Sequence, residues 1–194
     1  MTESFDNTRR CFMGRFLGVG IAALACGLTS PALARVARPA KVSAHAATRS
    51  LSFHNLHTDE RLRVAYWADG KYDRAAWAKI NHILRDHYSG DVHVMDLRLM
   101  DLLHDVQGHL GNDGTIEIIS GYRSPATNQR LAEASGGVAK NSFHMRGMAI
   151  DVRMDGTTLP HLHQTALRVD KGGVGYYPDS DFVHLDVGPV RRWG

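Results

Sequence analysis

The most informative stretch of the chain is residues 142–151, which contain Ser142-Phe143-His144-Met145-Arg146-Gly147-Met148-Ala149-Ile150-Asp151. Gly147 predicts a turn over residues 142–147, and the apolar residues after it predict a strand over residues 148–154. His144 then lies in the turn, and Asp151 projects from the strand. A second block, Asp181-Phe182-Val183-His184, opens another apolar strand. If the two strands are neighbours in a sheet, Asp151 and His184 can meet at a single metal ion.

His144, Asp151 and His184 are suitable zinc ligands, because zinc binds imidazole nitrogen and carboxylate oxygen at about 2.0–2.2 Å. Three protein ligands leave a fourth position open for water, which is typical of catalytic rather than structural zinc. The spacing alone leaves a second interpretation open, namely that these are ordinary polar residues, since the chain has 12 histidines.

The pattern around these blocks predicts an α+β protein. The predicted elements are a β-hairpin of residues 51–56 and 62–67, helices over residues 73–87, 96–109, 125–131 and 158–169, a strand over residues 115–119 and a last strand over residues 182–187. Helices come first and strands dominate later, which favours a central, mostly antiparallel sheet flanked by helices. The candidate zinc site then lies on the sheet.

Residues 1–34 have the features of an export signal. Arg9 and Arg10 precede an apolar run too short to span a bilayer, and the small-residue site Ala32-Leu33-Ala34 follows it. Paired arginines before such a run indicate the twin-arginine route. A general secretory signal is the alternative, and lipidation at Cys26 is an alternative to cleavage after Ala34. We expect a periplasmic protein with a flexible linker over residues 35–48 and a catalytic domain over residues 49–194.

The composition excludes several classes of function. The formal charge is only +3, without a basic cluster interleaved with aromatic residues, so we expect no nucleic-acid partner. Both cysteines, Cys11 and Cys26, lie in the leader. The mature chain therefore has neither a thiol nucleophile nor a disulfide, and we expect no stable membrane span in it. Its chemistry must come from histidine, carboxylate and hydroxyl side chains.

Several separated blocks resemble the peptidase M15 group, which has a hedgehog-like zinc fold. The blocks are Leu51-Ser52-Phe53-His54-Asn55-Leu56-His57-Thr58, Ile80-Asn81, Leu84-Arg85-Asp86-His87, Ser120-Gly121-Tyr122-Arg123-Ser124, the 142–151 stretch, Gly172-Gly173-Val174-Gly175-Tyr176-Tyr177-Pro178, residues 181–188 and Val190-Arg191-Arg192-Trp193. Within that group, the chain is most similar to the murein endopeptidase K branch. The resemblance covers nearly the whole mature domain.

The resemblance implies an exported zinc metallopeptidase with one Zn²⁺, which hydrolyses amide bonds in peptidoglycan stem peptides or cross-links. It assigns His144, Asp151 and His184 as the metal ligands. Asp181 is at the position of the general base, with a solvated turn residue as the alternative interpretation. Asp186 is the competing base, and we favour a role in orienting a ligand histidine.

Two more residues are implied to contact the substrate, and Ser142 is a further candidate. Arg123 corresponds to an arginine near the substrate carbonyl, where a guanidinium stabilises the oxyanion. Asn128 matches a substrate-contacting amide position, and Ser142 either binds substrate or caps the turn. Two other functions stay open: a non-catalytic, zinc-stabilised peptidoglycan-binding domain, and a D,D-carboxypeptidase or dipeptidase.

Overall fold

The computed structural model of the chain describes residues 48–134 and 138–194. These residues belong to one compact unit, residues 42–194. The predicted leader, residues 1–34, and the predicted linker, residues 35–48, lie outside the described residues apart from Thr48.

The described part contains a sheet, four helices and two short 3₁₀ turns. The strands are β1 (Arg49–Asn55), β2 (Arg61–Ala68), β3 (Lys71–Tyr72), β4 (Ile116–Ser120), β5 (Ala149–Met154), β6 (Gly173–Tyr177), β7 (Phe182–Asp186) and β8 (Arg191–Trp193). The helices are α1 (Arg74–Ile83), α2 (Leu97–Leu110), α3 (Pro125–Ala134) and α4 (Leu159–Val169), and the 3₁₀ turns are Phe143–Arg146 and Pro178–Ser180.

All eight strands form one sheet in the order β3-β2-β1-β4-β5-β7-β6-β8. The pairs β1–β4 and β6–β8 are parallel, and every other pair in this sheet is antiparallel. The predicted α+β class with a mostly antiparallel sheet is therefore confirmed.

The two faces of the sheet differ because successive strand residues point to opposite sides. One face packs against α1, α2 and α4 in a single apolar core, to which the central strands contribute Ile116, Ile118, Ile150, Val152, Val183 and Leu185. The opposite face of β5 and β7 carries Asp151 and His184. The apolar core and the candidate site therefore lie on opposite faces of the same two strands, β5 and β7.

The local predictions are largely confirmed, with some corrections. The hairpin forms as β1 and β2, and the Asp73 carboxylate caps α1 by accepting from the N–H groups of Ala75 and Ala76. Helix α1 is shorter than predicted, since it ends at Ile83. The prediction of residues 182–187 as the last strand is wrong, because β8 follows it, and β3 and β6 were not predicted at all.

No helix among residues 48–134 and 138–194 combines the length and the apolar character that a membrane crossing requires.

Candidate metal centre

His144 lies in the 3₁₀ turn Phe143–Arg146 and is buried. The Ser142 hydroxyl begins this turn by accepting a hydrogen bond from the His144 N–H, at 3.2 Å. Gly147 ends it with φ of +65°, where a Cβ would also come within 2.5 Å of the Val94 carbonyl oxygen. The turn is thus held at both ends, as the glycine predicts.

Asp151 and His184 lie directly opposite each other on the paired strands β5 and β7. Asp151 Oδ1 is 2.8 Å from His184 Nδ1 and 3.2 Å from His144 Nε2. The two imidazole nitrogens are 3.1 Å apart. All three predicted ligands are therefore brought together, as a group that can hold a metal ion.

In each imidazole ring, the nitrogen that points away from the centre already has a hydrogen-bond partner. His144 Nδ1 donates to the Gly121 carbonyl oxygen at 2.7 Å, which leaves Nε2 with a lone pair. His184 Nε2 donates to Asp186 Oδ2 at 3.0 Å, so that in the neutral ring Nδ1 presents a lone pair to the centre. This is the partner pattern of metal-binding histidines.

The spacing of these three atoms fits a zinc ion. Ligand atoms at the usual zinc distances in a tetrahedral arrangement are about 3.3 Å apart. The separations here, 2.8 to 3.2 Å, are a few tenths of an ångström shorter. The donor set of two nitrogens and one oxygen also suits zinc.

The second oxygen of Asp151 is held by Arg123. The Arg123 guanidinium donates through Nη2 to Asp151 Oδ2, and its Nε donates to Ser120 Oγ at 2.7 Å. Burial alone would raise the pKa of Asp151, but His144, His184 and Arg123 outweigh it and hold that pKa well below its usual range. Asp151 is therefore a carboxylate over the whole physiological pH range.

The two candidate ligand histidines differ in their electrostatic surroundings. Burial lowers the pKa of His144, which favours its neutral form. Burial also opposes a charge on His184, but hydrogen bonds to Asp151 and Asp186 outweigh it and raise its pKa. The carboxylates of Asp151 and Asp186 therefore favour a positive charge at the centre.

Arg123 is positioned by a buried acid that does not touch the centre. Asp86 accepts from the backbone N–H of Ser124 at 2.9 Å and from that of Tyr88 at 2.9 Å. Burial alone would raise the pKa of Asp86, but its hydrogen bonds outweigh it and keep that pKa below the usual range. This carboxylate anchors the loop between β4 and α3 in which Arg123 lies.

The centre opens into a cleft of about 610 Å³, a volume typical of ligand sites. Its lining includes the three candidate ligands and Arg123, the loop residues Val138, Ala139, Asn141 and Ser142, and a group of aromatic side chains, Phe143, Tyr177, Phe182 and Trp193. Ser180 and Arg191 complete it. The cleft is therefore polar at the metal centre and aromatic along one wall.

Comparison with known proteins agrees with this geometry. The family model described as peptidoglycan L,D-endopeptidase MepK, of the M15 peptidases, matches residues 43–193. The chain belongs to the MepK family. The chain is 39% identical over 191 residues to the peptidoglycan L,D-endopeptidase MepK of Escherichia coli K12, covering 98% of this chain and 100% of that protein. It is 42% identical over 146 residues to the probable MepK of Haemophilus influenzae, covering 75% and 78% of the two chains.

Membership in the MepK family confirms the M15 resemblance and the prediction of a hydrolytic enzyme.

The two other residues predicted to contact the substrate, Ser142 and Asn128, differ in whether they line the cleft. Ser142 lines the cleft and caps the turn. Asn128 is buried outside the lining, where its Nδ2 donates to the Ala139 carbonyl at 3.0 Å. Its Oδ1 has no hydrogen-bond partner in the described part of the chain.

The two candidate bases lie in opposite environments. The Asp181 side chain is 59% exposed and does not line the cleft, and its Oδ2 is 2.6 Å from Arg153 Nη1. Asp186 is fully buried and bonded to His184. Burial alone would raise the pKa of Asp186, but hydrogen bonds from His184 and Arg191 outweigh it and lower that pKa to about 2.

Sequence reasoning missed the contribution of the C-terminal strand. β8 pairs with β6 and supplies Arg191 and Trp193 to the cleft. The Trp193 ring centroid is 5.2 Å from that of His184, and its Nε1 donates to Tyr177 Oη at 2.8 Å. The block Val190-Arg191-Arg192-Trp193 belongs to the family pattern, but three residues are too few for a strand pattern to be recognised in the sequence.

Proposed function

We propose that the chain is a zinc-dependent endopeptidase that hydrolyses amide bonds in peptidoglycan peptides. The observation that carries the proposal is the convergence of His144, Asp151 and His184 on one point at the floor of an open cleft. The names of the relatives support the substrate, since the Escherichia coli protein is called a peptidoglycan L,D-endopeptidase and that of Haemophilus influenzae a probable one.

His144 Nε2, Asp151 Oδ1 and His184 Nδ1 would hold the ion. When bound, zinc supplies Lewis acidity, which polarises the scissile carbonyl and makes water a better nucleophile at neutral pH. Asp186 and the Gly121 carbonyl keep the two rings in the tautomers that face the ion. Arg123 keeps Oδ2 of Asp151 occupied, so that Oδ1 is the oxygen directed at the centre.

Arg123 has a second proposed role, because its guanidinium lines the cleft as well as binding Asp151. A guanidinium there stabilises the negative charge that develops on the substrate carbonyl oxygen. Ser142 lines the same cleft and contacts the substrate beside His144. Asn128 does not line the cleft itself but fixes the cleft wall, because its amide donates a hydrogen bond to the carbonyl oxygen of Ala139.

We propose Asp181 as the general base. Its neighbours Ser180 and Phe182 line the cleft, and only its Oδ2 has a hydrogen-bond partner in the described part of the chain. Rotation away from Arg153 would let the carboxylate accept a proton from water and pass it to the leaving amine. Asp186 is unsuited to that task, because it is fully buried and its oxygens are already bonded.

The cellular setting follows from the substrate. A peptidoglycan hydrolase must reach the periplasm, and the proposed twin-arginine leader of residues 1–34 provides a route. Replacing Arg9 and Arg10 with lysine should leave the protein in the cytoplasm, as measured by cell fractionation. Normal export of this variant would contradict the twin-arginine assignment.

The test of the proposed activity is digestion of two purified muropeptide dimers, one with a 3-3 and one with a 4-3 cross-link. We expect the chain to split the 3-3 dimer, whose cross-link is an L,D amide bond, and to spare the 4-3 dimer. A chelator and the substitution His144→Ala should each abolish the reaction, whereas His161→Ala, on the exposed side of α4, should not.

The alternative functions give different products. Binding of the dimers without cleavage would identify a non-catalytic peptidoglycan-binding domain. Release of a terminal D-alanine alone would identify a carboxypeptidase. Full activity in His144→Ala would rule out the proposed metal centre.

A further inference from the structure

Asp186 has an unusually complete set of hydrogen-bond partners. Its Oδ2 accepts from His184 Nε2 at 3.0 Å and from Arg191 Nη2 at 2.6 Å. Its Oδ1 accepts from Arg191 Nη1 at 3.0 Å and from the backbone N–H groups of Gly188 and Gly173 at 2.8 and 3.3 Å. The two-pronged contact with Arg191 fixes the plane of the carboxylate as well as its position.

The Arg191 guanidinium also contacts the turn that carries the other ligand histidine. It lies 4.9 Å from the ring centroid of Phe143 and 4.9 Å from that of Trp193. Phe143 directly precedes His144 in the 3₁₀ turn. Arg191 therefore connects β8 with both histidine-bearing segments, through Asp186 on one side and Phe143 on the other.

The glycines of β6 leave the space that this arrangement requires. Gly173 and Gly175 pair with Arg191 and Trp193. A Cβ on Gly173 would lie 2.6 Å from Arg191 Nη1, and a Cβ on Gly175 would lie 2.6 Å from the Trp193 ring. The side chains of β8 thus fold across β6 to reach β7 because β6 has no side chains at these two positions.

We propose that Arg191 is a positioning residue of the metal centre, acting through Asp186 on the ring of His184. The inference rests on the proposed zinc site. Without the guanidinium, Asp186 loses the two hydrogen bonds that span both of its oxygens and keeps only those from His184, Gly173 and Gly188, which hold its plane less firmly. The His184 ring then samples orientations in which Nδ1 does not point at His144 and Asp151. Loss of a group that bonds a ligand histidine directly typically costs 10- to 100-fold in metal affinity, and Arg191 acts one contact further out, through Asp186.

The test measures zinc affinity by competition with a chromogenic chelator, using the purified chain without substrate. We expect Arg191→Gln to weaken zinc binding about 10-fold, the lower end of the range for a direct partner of a ligand. Arg192→Gln is the matched control, because Arg192 is the next residue of β8 and pairs with Asp170 at the surface, at 3.1 Å. The control should bind zinc like the unmodified chain.

A second substitution shows whether Arg191 acts through Asp186. In an Asp186→Asn background, Arg191→Gln should lower zinc affinity by less than about 3-fold, because the carboxylate that it orients is already gone. An equal loss in both backgrounds would show that Arg191 does not act through Asp186, and would overturn the proposal. So would an unchanged affinity in Arg191→Gln alone.

Arg191→Lys covers the case in which Arg191→Gln does not fold. Lysine keeps the charge but cannot hold both carboxylate oxygens in one plane, so we expect an intermediate loss of zinc affinity. Wild-type affinity in Arg191→Lys would overturn the proposal. If the unmodified chain binds no zinc, the proposed metal centre and this inference are both wrong. If the unmodified chain and Arg191→Gln bind zinc equally well, only this inference is wrong.

Discussion

At the scale of single residues, Asp181 and Asp186 show how the environment distinguishes two carboxylates at opposite ends of β7. Asp186 is buried and bonded to the candidate ligand His184, whereas Asp181 is exposed and paired with Arg153. A proton carrier must exchange protons with water and substrate during each turnover. The exposed side chain of Asp181 is open to water, which is why we propose it as the base, whereas buried Asp186 is suited to holding His184.

Asp181→Asn should therefore lower kcat by about 10²- to 10⁴-fold while leaving zinc affinity unchanged, since an amide cannot accept the proton. Asp186→Asn should lower zinc affinity instead. The measurements are turnover of the 3-3 dimer and chelator competition on the same preparations. Asp179→Asn, in the same exposed turn, is the control, and a normal kcat in Asp181→Asn would exclude Asp181 as the base.

Short-range features of the sequence place the three candidate ligands on a turn and two strands, and the family resemblance selects them from the 12 histidines and the acidic residues. Gly147 ends the turn that carries His144, and two apolar runs place Asp151 and His184 on strands. Arg191 could not be found in the same way. Its partner Asp186 lies across β6, so their contact depends on the pairing of two strands that the pattern did not predict.

At the scale of elements, the sequence predicted the helices better than the edge of the sheet. Helices α1, α2 and α4 have clear apolar periodicity and polar residues before their first turns. Strand β6 was missed because Gly173 and Gly175 resemble a chain break, although they make room for the side chains of β8. Strand β8 has only three residues and follows a glycine and a proline, so its alternation is too short to detect.

Substitution of a glycine in β6 tests this explanation. Gly175→Ala should lower the free energy of unfolding by about 1–3 kcal/mol, because the new methyl group overlaps the Trp193 ring. Gly108→Ala is the matched control, since Gly108 lies within α2 and a Cβ there meets nothing within 4 Å.

Gly108→Ala should leave the free energy of unfolding unchanged or raise it by up to about 1 kcal/mol, because alanine is more favourable than glycine inside a helix. Urea denaturation measures both variants. An unchanged free energy of unfolding in Gly175→Ala would show that the Trp193 ring can pack on β6 without a glycine at position 175.

At the scale of the whole molecule, the stability of the domain depends on packing and on any bound ion. Both cysteines of the chain lie within residues 1–34, so residues 35–194 cannot form a disulfide. The candidate ligands come from a turn and from two different strands of the sheet. An ion that binds all three favours the folded chain over the unfolded chain.

Zinc should therefore raise the thermal unfolding midpoint of the chain. At a free zinc concentration 100 times the dissociation constant, mass action contributes about 2.7 kcal/mol to folding. Differential scanning calorimetry measures the shift, which His144→Ala should remove and which magnesium should not reproduce. An equal shift in His144→Ala would show that zinc stabilises the domain from another place.

The donor set of the centre also affects which metal the protein acquires. Two imidazole nitrogens and one carboxylate oxygen provide no sulfur ligand. For such ligands, divalent copper binds more tightly than zinc, following the general order of first-row metals. We therefore expect the metal content of the enzyme to follow the supply of metals where the chain folds rather than a preference of the site. Excess copper would then inactivate the enzyme by occupying the site in place of zinc.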